Sequence, residues 1–270
     1  SIMVDRNVGS HSFKLVTGYR RLDELNKKLE NFSYRVLKED CLDLPEKIYM
    51  KRIVPLSPEQ LKAYTEMKKH AITELEGRQT TAASALAQLV RLHQITCGHL
   101  ALDDGEVKTL KNNRIKELLD ILEEIDGKVI IWAIYRHDIK EITNILSERY
   151  GANSVASFFG DTADRDRQDI VDRFQDRESD LRFFVGNPRT GGYGLTLTAS
   201  HTVIYYSNSY DLEIRLQSED RAHRISQKEK VTYIDLISEG TVDEYIVKNL
   251  RGKINLATKI LGEDLKKWLI

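Results

Sequence analysis

From Arg114 onward the chain alternates two kinds of segment, and that alternation constrains the fold more than any other feature. Short, continuous apolar runs recur: Val129-Ile130-Ile131-Trp132, Val155 to Phe159, Phe183-Phe184-Val185, Val203 to Tyr206 and Val231 to Ile237. Each is too short for a helix, and apolar residues at consecutive positions require cover on both faces. Helical patterns separate most of them, such as Ile115, Leu118, Leu119, Leu122 and Ile125 before Gly127, or Ile139, Ile142, Ile145 and Leu146. Buried strands alternating with amphipathic helices predict an α/β fold, a parallel sheet with helices on both faces. Ligands of such sheets bind beyond the carboxyl ends of the strands. Function is therefore expected in the loops after Trp132, Phe159, Val185 and Tyr206.

The sequence before Arg114 reads differently. Glu46 to Leu56 alternates through Ile48, Met50, Ile53 and Val54, the pattern of a strand. Ser57-Pro58 starts a helix with Pro58 at its first position, carrying Leu61, Tyr64, Thr65 and Lys68. Ala82 to Thr96 reads as a helix with Leu86, Leu89, Val90 and His93 on one face. Asn7 to Ser12 and Gly98 to Asn113, the latter centred on Asp103-Asp104-Gly105, read as loops. At the other end, Thr241 and Glu244 predict a capping box before Val242, Tyr245, Ile246 and Leu250, and helix continues through Ile254, Ala257, Ile260 and Leu261 toward Trp268. The expected division is a flexible lead over 1–13, a mostly helical extension over 14–105, the α/β lobe over 106–240 and a helical brace over 241–270.

With 270 residues, a net charge of −1 and 41% apolar residues, the chain is long enough for a real core and has no overall basic character. Nucleic-acid contacts must come from a local surface. Cys41 and Cys97 show no metal-ligand spacing, so no metal site is predicted. No apolar run is long enough to span a membrane, and no partner membrane is expected.

Two motifs carry chemistry. Gly186 to Gly194 follows a predicted strand, where a Gly-rich loop admits phosphates to the backbone amides. It lacks the Gly-Lys-Ser/Thr ending of a P-loop, so by itself it fits a tight turn equally well. The second motif is Gln217-Ser218-Glu219-Asp220-Arg221-Ala222-His223-Arg224-Ile225-Ser226-Gln227. On a helix Gln217, Arg221 and Arg224 share one face, with Asp220 four residues before Arg224. Two guanidiniums in line suit a polyphosphate, and a solvated, ion-paired face suits the same pattern.

Their order raises the specificity. Gly191-Gly192-Tyr193-Gly194-Leu195-Thr196-Leu197 followed by Gln217 to Gln227 resembles motifs V and VI of superfamily-two helicases of the Swi/Snf type, with Ser226 where that family has Gly. Leu44 to Lys47, Leu56 to Gln60 with Tyr64, Leu92 to Leu100, Lys128 to Tyr135 and Gly160 to Phe174 resemble other family segments, in collinear order. The resemblance implies a C-terminal RecA-like lobe of a DNA translocase, with ATP bound between it and an N-terminal RecA-like lobe. It implies Arg221 and Arg224, with Gln217, in catalysis, and Gly192, Gly194 and Asp220 near the nucleotide. Double-stranded DNA would run across both lobes, met here by Tyr135, Arg136, Gly160, Arg165, Arg189 and Thr190 through its backbone.

The Walker A lysine and the Asp-Glu-x-His motif that holds Mg²⁺ do not occur in this sequence, so Mg²⁺ ligands are assigned to the other lobe and the chain alone is expected not to hydrolyse ATP. Ser1-Ile2-Met3 reads as a cut end of a longer protein. The compact stretch before Gly98 points to a bacterial or phage source and a cytoplasmic location, or a nuclear one if the source is eukaryotic. Two alternatives compete with the motor: a binding module without ATPase activity, and a small-molecule enzyme on a doubly wound sheet.

Overall fold

The computed structural model describes residues 2–8, 11–18, 21, 24, 27–28, 42–76, 82–102, 104–190 and 194–261. The apolar runs pair as expected. Strands β3 (Lys47–Ile53), β6 (Val129–Trp132), β7 (Val155–Phe158), β8 (Phe183–Gly186), β9 (Thr202–Tyr205) and β10 (Val231–Ile237) form one six-stranded sheet in the order β3-β10-β9-β6-β8-β7. Every pairing is parallel. All residues of β6, β8 and β9 are buried, which is what consecutive apolar positions demand.

The strand period of two divides the core. Val129, Ile131, Phe183, Val185, Ile204 and Leu236 face a layer that includes α3 (Arg114–Glu124) and α4 (Arg136–Tyr150). Ile130, Trp132, Phe184, Val203 and Tyr233 face the other layer, with α5 (Asp164–Gln175) contributing Val171 and Phe174. A third cluster joins α1 (Pro58–Glu76), α2 (Ala82–Cys97) and α7 (Val242–Leu261) through Tyr64, Leu92, Ile95, Val242, Ile246 and Leu250. The strand order turns around β6: the chain leaves it toward β8 and β7, then passes back to β9 and β10.

Strand β1 (Ile2–Val8) pairs antiparallel with β2 (His11–Gly18). Strand β3 is the edge strand of the main sheet, paired with β10 from Lys47 against Val231 to Ile53 against Ile237. Two finer expectations need correction. The loop after Gly98 contains a small antiparallel pair, β4 (His99–Ala101) and β5 (Val107–Thr109). Leu86, Leu89 and Val90 are exposed, and α2 buries Gln88, Leu92, His93, Ile95, Thr96 and Cys97 instead.

The helix starts follow local chemistry. Ser57 Oγ accepts from the Gln60 amide at 3.1 Å while Gln60 Oε1 accepts from the Ser57 amide at 3.0 Å, a reciprocal cap for α1. At α7, Thr241 Oγ1 accepts from the Asp243 amide and Glu244 reaches the Gly240 amide, one residue before the position a capping box uses.

Gly186 ends β8 where three groups converge. A Cβ there would lie 2.9 Å from the Phe158 carbonyl oxygen, 3.0 Å from a Trp132 ring carbon and 3.1 Å from a Phe184 ring carbon. Backbone and buried rings give way poorly. Gly186→Ala is expected to cost about 1–3 kcal/mol by overpacking, read as a lower midpoint in denaturant. An unchanged midpoint would show that the sheet accommodates the methyl group.

Candidate functional site

One residue, Asn187, ties the end of β7 and the loops that follow β6 and β8 together. The Asn187 amide donates to the Phe158 carbonyl at 3.0 Å, its Nδ2 donates to the Ile134 carbonyl at 2.7 Å, and its Oδ1 accepts from the Arg189 amide at 2.9 Å. Ser207, after β9, joins them by accepting from the Ile134 amide at 2.9 Å. The carboxyl rim of the sheet is therefore a built surface. An asparagine just past an apolar strand was the sequence signal for this organiser, and it was passed over in favour of the glycines.

That rim carries five of the six residues assigned to nucleic-acid contact. Arg136 opens α4, largely exposed, and pairs with Asp161 at 3.0 Å. Gly160 lies beside it, since a Cβ there would come 3.3 Å from Arg136 Nη2. Arg165 and Arg189 are exposed and Thr190 is half-buried. Tyr135 is different. Its hydroxyl lies 2.9 Å from His93 Nδ1, and its ring meets His93 and His99 edge-on. Burial pushes its phenol far above the usual range. Its side chain packs α4 against α2, because the aromatic edge finds buried partners there, and it does not project from the rim.

The second motif departs from its expected form. Helix α6 (Leu212–Glu219) is capped by Asp211, which accepts from the Glu213 amide at 3.0 Å, and it ends at Glu219. It does not continue to Gln227, because the carbonyls that would propagate it are taken. The Arg221 carbonyl accepts from the Leu197 amide at 2.9 Å and the Ala222 carbonyl from Gln227 Nε2 at 3.0 Å. Residues 220–227 form successive turns, closed by bonds such as Arg221 amide to Ser218 and Gln227 amide to Arg224. Gln217, Arg221 and Arg224 therefore do not share a helix face. Gln217 remains on α6, donating to Glu213 at 2.9 Å.

The turn nonetheless brings the two motifs together. Arg224 Nη1 donates to the Gly194 and Leu195 carbonyls, each at 3.2 Å, and to Thr196 Oγ1 at 3.1 Å. Gly194 has φ +67, a backbone conformation that favours glycine. Gly191, Gly192 and Tyr193 lie outside the described residues. Burial, and then the charge of Arg224, lower the pKa of Arg221 from the usual guanidinium value, while Asp220 opposes them. His223 is buried, and its Nε2 lies 2.7 Å from the Pro45 carbonyl.

Beneath the turn lies a charged network that the motif reading missed. Buried Arg215 donates to Asp235 Oδ1 at 2.5 Å, to Asn208 Oδ1 at 2.6 Å and to Glu219 Oε1 at 2.9 Å. Asp235 was visible in the sequence as a carboxylate inside an apolar run. Among the described residues, no group of three or more His, Cys, Asp or Glu side chains is placed to hold a metal ion, and no helix is long and apolar enough to cross a membrane.

Residues 110–226 match the family described as the helicase conserved C-terminal domain. The chain is 29% identical over 255 residues to the SWI/SNF chromatin-remodeling complex subunit snf22 of Schizosaccharomyces pombe, covering 89% of this chain and 15% of that protein. It is 30% identical over 263 residues to YwqA of Bacillus subtilis, covering 93% of this chain and 28% of that protein. Among solved structures it is similar to the Sulfolobus solfataricus SWI2/SNF2 ATPase core in complex with dsDNA, with a TM-score of 0.64 and 27% identity over 92% of this chain and 54% of that one. The chain thus spans well under a third of either relative.

Proposed function

This chain is a C-terminal RecA-like lobe of the Swi/Snf type of superfamily-two helicase, and from that premise we propose that it is the second motor lobe of an ATP-dependent DNA translocase. The observation that carries the proposal is the bonded contact of Arg224 with residues 194–196, which seats its guanidinium against the Gly-rich loop. In this reading ATP lies between this lobe and an N-terminal RecA-like lobe of the same polypeptide. Bound ATP with Mg²⁺ supplies a γ-phosphate on which negative charge develops during transfer. Arg221 and Arg224 face that charge as arginine fingers, Gln217 acts with them in catalysis, and Gly192, Gly194 and Asp220 border the nucleotide. The Mg²⁺ ligands belong to the N-terminal lobe.

An anion beside Arg221 would relieve the two effects that disfavour its charge, burial and the neighbouring Arg224. Arg224 uses only Nη1 on the loop, and Nη2 and Nε make no bond among the described residues. The same arginine can therefore hold the loop and reach a phosphate. On the rim, Arg136, Arg165, Arg189, Thr190 and the Gly160 backbone would meet phosphates of duplex DNA. The Arg136–Asp161 pair is exposed and worth little, so it yields to a phosphate readily. Such a motor would work in a bacterial cytoplasm or a nucleus.

A second reading, a nucleic-acid or protein binding module without ATPase activity, draws on Arg224 being engaged with loop carbonyls. The two separate in one experiment. This chain alone is expected to show no ATP hydrolysis. The polypeptide that joins it to a lobe with a Walker A motif is expected to hydrolyse ATP and to do so faster with duplex DNA. A joined protein that binds DNA and hydrolyses nothing would leave the binding module.

A further inference from the structure

Glu219 ends α6 and is fully buried, directly before the arginine turn. Its carboxylate accepts from Arg215 Nε at 2.9 Å, from Lys47 Nζ at 3.1 Å and from the Tyr49 hydroxyl at 2.8 Å. Its carbonyl accepts from the Tyr233 hydroxyl at 3.0 Å and from the amides of Ala222 and His223, each at 3.2 Å. Lys47 and Tyr49 belong to β3, and Tyr233 to β10. Arg215 links further, to Asp235 in β10 and to Asn208 after β9, with its guanidinium 3.4 Å from the Tyr205 ring centroid. The carboxylate thus joins the edge strand β3 to the helix that delivers Arg221 and Arg224, and the Glu219 carbonyl and Arg215 extend that connection to β10.

The arrangement costs more than anchoring a helix needs. Lys47 and Arg215 balance Glu219 and Asp235, but taking such charges out of water is expensive, and apolar packing of equal volume is often as stable. What apolar packing does not supply is direction. Three donors converge on one carboxylate from defined angles, and charge-assisted bonds of this kind are short and geometrically specific. The bonds to the Glu219 carbonyl then redirect the chain at the next residue, so a shift of Glu219 shifts the start of the turn.

We infer that Glu219 is a positioning residue for the two arginines, its buried carboxylate fixing the end of α6 on β3 and thereby setting where Arg221 and Arg224 stand. The inference rests on the arginine-finger reading above. Glu219→Gln keeps the shape of the side chain and one acceptor while removing the charge. Lys47 retains Asp220 at 3.7 Å and Arg215 retains Asp235, so the fold has partners left for both cations.

The test is DNA-stimulated ATP hydrolysis by the two-lobed protein carrying Glu219→Gln, Arg221→Ala and both together. The expected result is a kcat lower by roughly 10- to 100-fold for Glu219→Gln, the scale of a small misplacement of catalytic groups, with the KM for ATP moved far less. On the Arg221→Ala background the Glu219→Gln loss should shrink, because only the misplacement of Arg224 is left to act. A wild-type kcat in Glu219→Gln, or a loss that multiplies in full with that of Arg221→Ala, overturns the positioning role. If Arg221→Ala itself keeps the full rate, the arginine-finger reading falls first. Should Glu219→Gln fail to fold, Lys47→Met and Tyr49→Phe each remove one donor, and the same kcat, KM and double-variant readings decide.

Discussion

Arg224→Ala in the two-lobed protein is expected to lower the DNA-stimulated kcat for ATP hydrolysis by roughly 10³- to 10⁵-fold, the range that an arginine finger supplies. Phosphate release at saturating ATP and DNA measures it. DNA affinity should stay nearly constant, because the residues proposed to meet DNA lie after β6, β7 and β8, whereas Arg224 lies between β9 and β10. Arg224 also holds the loop, so a rate loss has two sources. Arg221→Ala separates them: the Arg221 carbonyl that accepts from Leu197 is main chain and survives the substitution, and only the guanidinium goes. Both variants should fall by similar factors if charge on the phosphate is what matters. Arg224→Lys should stay low, since an ammonium cannot serve the Gly194 carbonyl, the Leu195 carbonyl and Thr196 from one planar group while reaching a phosphate. Full hydrolysis by Arg224→Ala would falsify the finger assignment.

The main sheet was legible because double-sided burial leaves an unmistakable mark, consecutive apolar residues such as Val129 to Trp132. The edge strand β3 was legible as a strand and not as part of that sheet. In β3 the half-buried residues are Lys47, Tyr49 and Arg52 while Ile48, Met50 and Ile53 are exposed, so its apolar alternation does not mark the covered face, and its partner β10 lies near the far end of the chain. The arginine motif was found for its composition and misplaced in its geometry. Gln217, Arg221 and Arg224 fit a helical period, but the Leu197 amide that takes the Arg221 carbonyl is remote in sequence. Local periodicity carries no information about which distant donor takes a carbonyl. The glycines of the loop were read as a site for the same reason of composition, whereas the side chain that organises the rim, Asn187, has no periodic or repeated signature at all.

The largest loss of stability is expected from Asp243→Ala, at about 3–5 kcal/mol, the cost of leaving a buried charge without its partner. Asp243 stands in the first turn of α7 and is almost fully buried. It accepts a short bond from Arg114 Nη2, the Thr96 hydroxyl at 2.7 Å and the Ser238 amide at 3.1 Å, with His93 Nε2 at 3.6 Å. Arg114, only 1% exposed, cannot move out to water, because Nη1 also donates to the Tyr206 and Leu236 carbonyls. Removing the carboxylate therefore strands a guanidinium between α2, α3, α7 and the sheet. Replacing Arg114 and Asp243 together with Met and Leu should cost less than Asp243→Ala alone, since no unpaired charge remains. Denaturant titrations of the single and double variants make the comparison. The pH dependence supplies an independent arm. Burial alone would raise the pKa of Asp243, but the charges of Arg114 and His93 and the bonds from Thr96 and Ser238 outweigh it and hold the pKa below the usual aspartate value. A folded-state pKa below the unfolded one stabilises the fold above the unfolded value of about 3.9, and this stabilisation is lost as the pH falls through the folded pKa. Wild-type stability should therefore drop below about pH 4, and Asp243→Asn, which has no proton to take up there, should show a shallower drop. If the acid limbs of the two curves superimpose, Asp243 is not the carboxylate that fastens α7 to the sheet.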